Sequence, residues 1–187
     1  MQKLWQTKLK LNYNTEVIDI VQFGSSVKED PKLNPNDLDI AVIFNKIPLK
    51  NQLNMAQEIK KQMQKYSNLP IHIKTFDLYT LFEKSNFAKE NILFYGKSII
   101  SGEYFAKIFG LTPALHISYG LKNLKKKDKV KFNYLLNGKA KKYGLLRKYG
   151  GKLIAPGIVE IKPEYEDIFV DSMKKITSNL KIRKILF

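Results

Sequence analysis

A chain of 187 residues with 44% apolar and 27% charged side chains has room for one medium domain or two small ones, and this composition excludes wholesale disorder. The absence of cysteine excludes disulfides, thiolate metal sites and thiol nucleophiles together. The net charge of +16 is uneven, with fourteen Lys/Arg against ten Asp/Glu in residues 1–100 and nineteen against seven in residues 101–187, so a polyanionic partner is expected for the second half.

The first ten residues, MQKLWQTKLK, are too polar for a signal peptide, and no apolar run reaches the length of a membrane span. A soluble, cytoplasmic protein with no membrane partner is the expectation. Residues 17–23 (VIDIVQF) read as a largely buried strand, and residues 38–44 (LDIAVIF) as a second, rich in β-branched and aromatic side chains. The connector between them carries two prolines and two asparagines and reads as a loop, with one helical turn allowed after Gly24. Residues 49–66 are apolar at Leu49, Leu53, Ala56, Ile59 and Met63, the spacing of an amphipathic helix. Residues 71–76 (IHIKTF) alternate as a strand with one wet face, and a helix is predicted over 89–100.

Beyond a boundary near residues 100–112, the prediction is a helix over 102–110, a short strand over 114–119 and helices over 126–136 and 140–149 around Asn137-Gly138-Lys139. A strand, Pro-Gly turn and strand follow in KLIAPGIVEIKP, then a helix over 164–176 and a strand over 180–187. The whole is an α+β fold in two domains, 1–105 and 106–187. The order helix, turn, helix, hairpin in the second is that of a winged helix.

Asp37 and Asp39 lie two positions apart at the mouth of the second strand, so they leave the same sheet face roughly 6–7 Å apart at the backbone. Like charges that close repel unless a cation neutralises them, and hard Mg²⁺ (or Mn²⁺) prefers carboxylate oxygens together with substrate phosphates. A pair of metals about 3.5–4 Å apart would serve in-line nucleotidyl transfer. Gly24 lets the chain turn sharply and brings backbone N–H groups close to a phosphate. Ser25 adds a hydroxyl and Ser26 stands beside it, so the three are the candidate triphosphate contacts.

Gly-Ser at the end of a strand, a loop of eleven residues from 26 to 36, then Asp-Leu-Asp entering the next strand resembles the nucleotidyltransferase superfamily of DNA polymerase beta, particularly its small prokaryotic members. The resemblance covers about residues 15–100. It implies a mixed sheet with helices, an NTP substrate, and attack of an acceptor hydroxyl on the α-phosphorus with release of pyrophosphate. It also implies a third acid on the third strand, which ligates the catalytic metal and helps deprotonate the acceptor. Here His72 stands at that position, as metal ligand, as base, or as a packed polar residue in a weakened enzyme. Lys74 shares its face and would contact phosphate or repel a second metal.

Residues 122–152 hold twelve Lys/Arg and a single acid, Asp128, interleaved with Phe132, Tyr134, Tyr143 and Tyr149. Lysines on phosphates and exposed aromatics under bases hold unstructured nucleic acid without reading its sequence. The candidate contacts are Lys125, Lys126, Lys127, Lys129, Lys139, Lys141, Lys142, Arg147 and Lys148, with RNA as the favoured partner. The alternatives are a solvated lysine surface and tyrosines packed in the core. With only two arginines, Arg147 and Arg183, bidentate reading of guanine is not favoured. His116 reads as structural. Two other functions stay open: transfer to a protein or small molecule, and a non-catalytic nucleic-acid-binding protein of the same fold.

Overall fold

Val17–Phe23 (β1) and Leu38–Phe44 (β2), built mostly of Val, Ile and Phe, pair antiparallel at the middle of the first sheet. The computed structural model describes residues 3–7, 9–29, 32, 34–140 and 142–187. It divides into two units, Met1–Val27 with Pro31–Leu111 and Lys28–Asp30 with Thr112–Phe187. It is a mixed α+β structure, and among the described residues no helix is long and apolar enough to cross a membrane.

In the first unit β2 is buried on both faces. Ile40, Val42 and Phe44 join Ala56, Ile59 and Met63 of the helix Leu49–Gln64 (α1) in one cluster. Ala41 and Ile43 join Val21, Phe23, Leu81, Ile92 and Phe105 in the other. That two-sided burial explains why β2 reads as an unbroken apolar run. Within α1 the buried stripe is Gln52, Ala56, Ile59 and Met63, whereas Leu49 and Leu53 are exposed. Gln52 starts the stripe because its amide donates to the carbonyl of Ile47 at 3.0 Å.

Ile71–Asp77 (β3) returns parallel to β2, then come the helices Leu78–Phe82 (α2) and Lys89–Tyr95 (α3). The helix predicted to reach residue 100 stops at Tyr95. A Cβ at Gly96 would lie 2.2 Å from the Ile92 oxygen and 2.7 Å from Val21 Cγ1, so only glycine permits the chain to turn there against β1. Lys97–Ser98 (β4) then pairs with β1, completing the order β3-β2-β1-β4. The helix predicted over 102–110 is only a 3₁₀ turn, Phe105–Phe109, capped by Gly110 at φ +74°.

The second unit is built on Pro113–Tyr119 (β5), followed by Lys126–Asn137 (α4). The predicted helix over 140–149 is replaced by a hairpin and a shorter helix. Gly138–Lys139 (β6) and Lys142–Tyr143 (β7) pair antiparallel, and Leu145–Tyr149 (α5) follows. Glycines at both ends of the ribbon make this possible. A Cβ on Gly138 would meet the Lys142 oxygen at 2.2 Å, and one on Gly144 the Leu136 oxygen at 2.3 Å. Lys152–Ala155 (β8), Ile158–Ile161 (β9), the helix Glu166–Lys174 (α6) and Leu180–Leu186 (β10) complete an antiparallel sheet of order β10-β5-β9-β8. The order expected of a winged helix is thus kept only in part. A ribbon separates the two helices, and β8–β9 belong to a sheet rather than standing free.

Two polar residues of β1, Asp19 and Gln22, are buried with the core, and the first is ionisable. Asp19, 3% exposed beside a register shift, accepts from Ser98 Oγ and from the Ile20 N–H, both at 2.7 Å. Burial pushes its carboxyl from 3.8 up to about 6, against the opposing pull of those two bonds. A raised folded pKa means that stability is fully present below pH 3.8 and falls as pH rises through 6, by about 3 kcal/mol in all. Asp19→Asn keeps the neutral shape and removes the charging penalty. Urea unfolding should therefore show it gaining on wild type between pH 4 and pH 8, and equal pH profiles for the two proteins would refute the assignment.

Candidate active site

The parallel register of β2 and β3 sets Asp39 opposite His72 and Ala41 opposite Lys74, while β1 sets Phe23 on the other side of Asp39. Residues of equal parity leave one face, so Asp37, Asp39, His72 and Lys74 converge at one end of the sheet. His72 Nδ1 lies 3.2 Å from Asp37 Oδ2, with 60% and 38% of the side chains exposed. Water screens a pair so exposed, and it adds less than about 1 kcal/mol to stability. Its value lies in orienting the ring. Burial pushes the Asp39 carboxyl up from its usual range and the charge of Asp37 adds to the effect, while Lys74 and His72 pull the other way.

Gly24 closes the site from the β1 side. It ends β1 at φ +77°, and a Cβ there would stand 2.6 Å from Asp39 Oδ2. The carboxylate therefore occupies space that any other residue would fill. Gly24–Val27 forms a 3₁₀ turn on which Ser25 is exposed.

Ser26 departs from its expected role in contacting nucleotide. It is 1% exposed, and its hydroxyl accepts from Gln22 Nε2 at 3.0 Å and donates to the Phe23 carbonyl at 3.2 Å. The hydroxyl holds the turn instead of facing a ligand. Gln22, which the sequence reading passed over, also accepts from the Leu4 N–H at 2.9 Å. Its signal was a lone amide inside an apolar strand. Asp77 lies at the opposite end of β3, where its Oδ1 accepts from the Thr80 N–H at 2.7 Å as the N-cap of α2. That bond, foremost, lowers its pKa.

The donor set suits a hard divalent cation. Burial first and the charge of Asp37 second raise the pKa of Asp39, and positive charge between the two carboxylates relieves both. Among the described residues no group of three His, Asp or Glu could hold a metal ion by itself, so further donors would come from phosphate and water, as Mg²⁺ prefers.

In the second unit Lys125, Lys126, Lys127, Lys129, Lys139, Lys142, Arg147 and Lys148 are all exposed. Lys141 lies outside the described residues. The tyrosines separate into two kinds. Tyr119 packs on Phe132 with ring centroids 4.7 Å apart, and Tyr149 packs on Tyr165 at 4.9 Å. Tyr134 and Tyr143 are 41% and 63% exposed. Phe132, Leu136 and Leu146 are core, and Leu135 and Leu145 are half-buried. His116 Nε2 meets Glu160 Oε2 at 3.1 Å between neighbouring strands.

A family model described as a nucleotidyltransferase domain matches residues 2–99, the stretch that carries the Gly24 turn, both aspartates and His72. Neither the search of curated proteins nor that of solved structures found a match.

Gly24→Ala tests the closure. A left-handed alanine pressed on Asp39 Oδ2 should lower stability by about 1–3 kcal/mol in denaturant unfolding. In calorimetric titration it should weaken NTP binding far more than Ser25→Ala does, because it displaces Asp39 as well.

Proposed function

The chain belongs to the nucleotidyltransferase domain family, and we propose that it moves a nucleoside monophosphate from a metal-bound NTP to a hydroxyl of single-stranded RNA. A general role in nucleotidyl transfer and an NTP substrate follow from the family itself. The reading of metal and residue roles is supported above all by one observation. Asp39 is pressed into the space left by Gly24, beside Asp37 and within a strand spacing of His72.

Gly24 and Ser25 would receive the triphosphate, and Asp37 and Asp39 would hold Mg²⁺ or Mn²⁺, which supplies charge neutralisation for phosphates and leaving group. His72, with Nδ1 turned to Asp37, keeps Nε2 to accept the proton of the acceptor hydroxyl. The hydroxyl oxygen then bonds to the α-phosphorus as the bond to pyrophosphate breaks. Lys74, on the same face, stands to meet phosphate charge.

RNA is supported by charges placed against local stability. Lys125, Lys126 and Lys127 sit at the amino end of α4, where the helix dipole already disfavours cations. Asp128, the single acid of this stretch, faces Lys131 at 3.8 Å. An external polyanion would relieve this crowding, and unpaired RNA is the acceptor whose loops and ends offer bases to exposed aromatics. Both NTP and RNA point to the cytoplasm as its place of action.

A second reading rests on the half-exposed His72 and, among the described residues, the lack of a third converging carboxylate. In it the protein binds nucleic acid and has little or no transfer activity.

Incubation with labelled NTPs, Mg²⁺ or Mn²⁺, and total RNA or cell extract separates these readings by what becomes labelled. RNA labelling supports the proposal, label on protein or a small molecule moves the acceptor, and no label supports the second reading. Asp39→Asn should abolish labelling at unchanged fold. His72→Ala should lose it if the imidazole is the base, whereas a gain in His72→Asp would mark an attenuated enzyme. Binding of single-stranded RNA should weaken steeply with salt, with a log–log slope near −3.5 for about five phosphates. Replacing Lys125, Lys126 and Lys127 with Gln should flatten that slope by about two units.

A further inference from the structure

The hairpin between α4 and α5 is where the second unit works hardest against its own stability. Lys139 and Lys142 face each other directly across its two strands, and both are exposed. Like charges so placed are destabilising. Among the described residues neither makes an ion pair with an acid. The ribbon is nevertheless closely built. Gly138 and Gly144 close its base with no space for a Cβ, and Ala140 at its tip has φ +53°, a conformation that costs any residue but glycine. A disposable surface loop has no need of such geometry.

The hairpin also carries one exposed aromatic, Tyr143, and a second, Tyr134, stands close by on α4. Arg147 stacks its guanidinium 4.0 Å from the centroid of Tyr143, which nonetheless remains 63% exposed. Lys139 Nζ stands 5.2 Å from the ring of Tyr134, itself 41% exposed. Cation and open ring thus alternate over one short stretch. A cation stacked on one face of a ring leaves the other for a base, while its N–H groups can reach a phosphate.

We propose that the paired strands Gly138–Lys139 and Lys142–Tyr143, with Tyr134 and Arg147, are a clamp for single-stranded RNA in which one base stacks on Tyr143 and adjacent phosphates meet Lys139, Lys142 and Arg147. It rests on the reading of RNA as acceptor, for which it names the site. The clamp grips unpaired strands because a base in a duplex has no free face to stack, and it is indifferent to base identity because every base has a π-face.

The test measures fluorescence anisotropy of the full chain with three labelled probes: a twelve-nucleotide oligouridylate, an abasic strand of the same length, and an RNA duplex. Wild type should bind the oligouridylate more tightly than either of the others. Tyr143→Ala should weaken the oligouridylate about 5- to 150-fold and leave the abasic strand unchanged. Tyr143→Phe should bind like wild type, since it keeps the ring. The double variant Lys139→Gln, Lys142→Gln should flatten the salt slope by about 1.4 on both single strands. Circular dichroism melts of the two Tyr143 variants should coincide with wild type, because that side chain is exposed, and the double lysine variant should melt no lower, since it loses a like-charge pair. If wild type binds oligouridylate and Tyr143→Ala binds it equally well, the clamp is wrong while the RNA reading stands. Equal binding of duplex and single strand by wild type also overturns the clamp. If wild type binds no RNA, both fall.

Discussion

Everything at the candidate site depends on a missing side chain. Asp39 is the middle member of a row running from Phe23 through Asp39 to His72, and Gly24 has no Cβ where Oδ2 of that aspartate sits. This one steric allowance lets a carboxylate be partly buried at the end of an apolar strand. Burial and the nearby Asp37 then destabilise its charge, which makes the pair receptive to an external cation. The surrounding sheet fixes the geometry. Ile40, Val42, Ala41 and Ile43 anchor β2 on both faces, so the residue before them cannot slip in register without turning that whole set over.

In the second unit the dominant constraint is electrostatic. Its core of Phe132, Leu136, Val159, Phe169 and Met173 is ordinary, but its surface places lysines at the positive end of a helix and opposite one another in a ribbon. Each choice opposes the local field. A surface tuned only for stability or solubility would interleave both signs of charge. Both departures run in one direction, toward concentrated positive charge.

Much of the first unit was legible in the sequence because its strands and its motif are local in the chain. The limits of β1 and β2 and the turn after Gly24 follow from period and spacing, and the resemblance placed His72 where the third acid is expected; that it pairs with Asp39 came from the structure. What escaped depended on contacts made far along the chain. Ser26 looked like a ligand contact until the amide of Gln22 claimed its hydroxyl. Residues 97–98 looked helical because nothing nearby reveals that Gly96 presses against Val21. The ribbon 138–143 was masked by good helix formers, Ala140 and its lysine neighbours, and betrayed only by the two glycines that flank it. The tyrosines could not be sorted at all without neighbours, since Tyr119 and Tyr143 differ in what packs on them and not in their local pattern.

The bond from the Leu4 N–H to Gln22 has a consequence for cooperativity. Gln22 uses its amide oxygen on the first turn of the chain and its amide nitrogen on Ser26, so one planar group joins that turn to the loop beside Asp39. Gln22 is fully buried, where water cannot replace either bond, so the two segments exchange between closed and open together. Amide hydrogen exchange at Leu4 therefore reports on order in the Gly24 loop about 70 Å of contour away, and whatever steadies the loop slows exchange at Leu4.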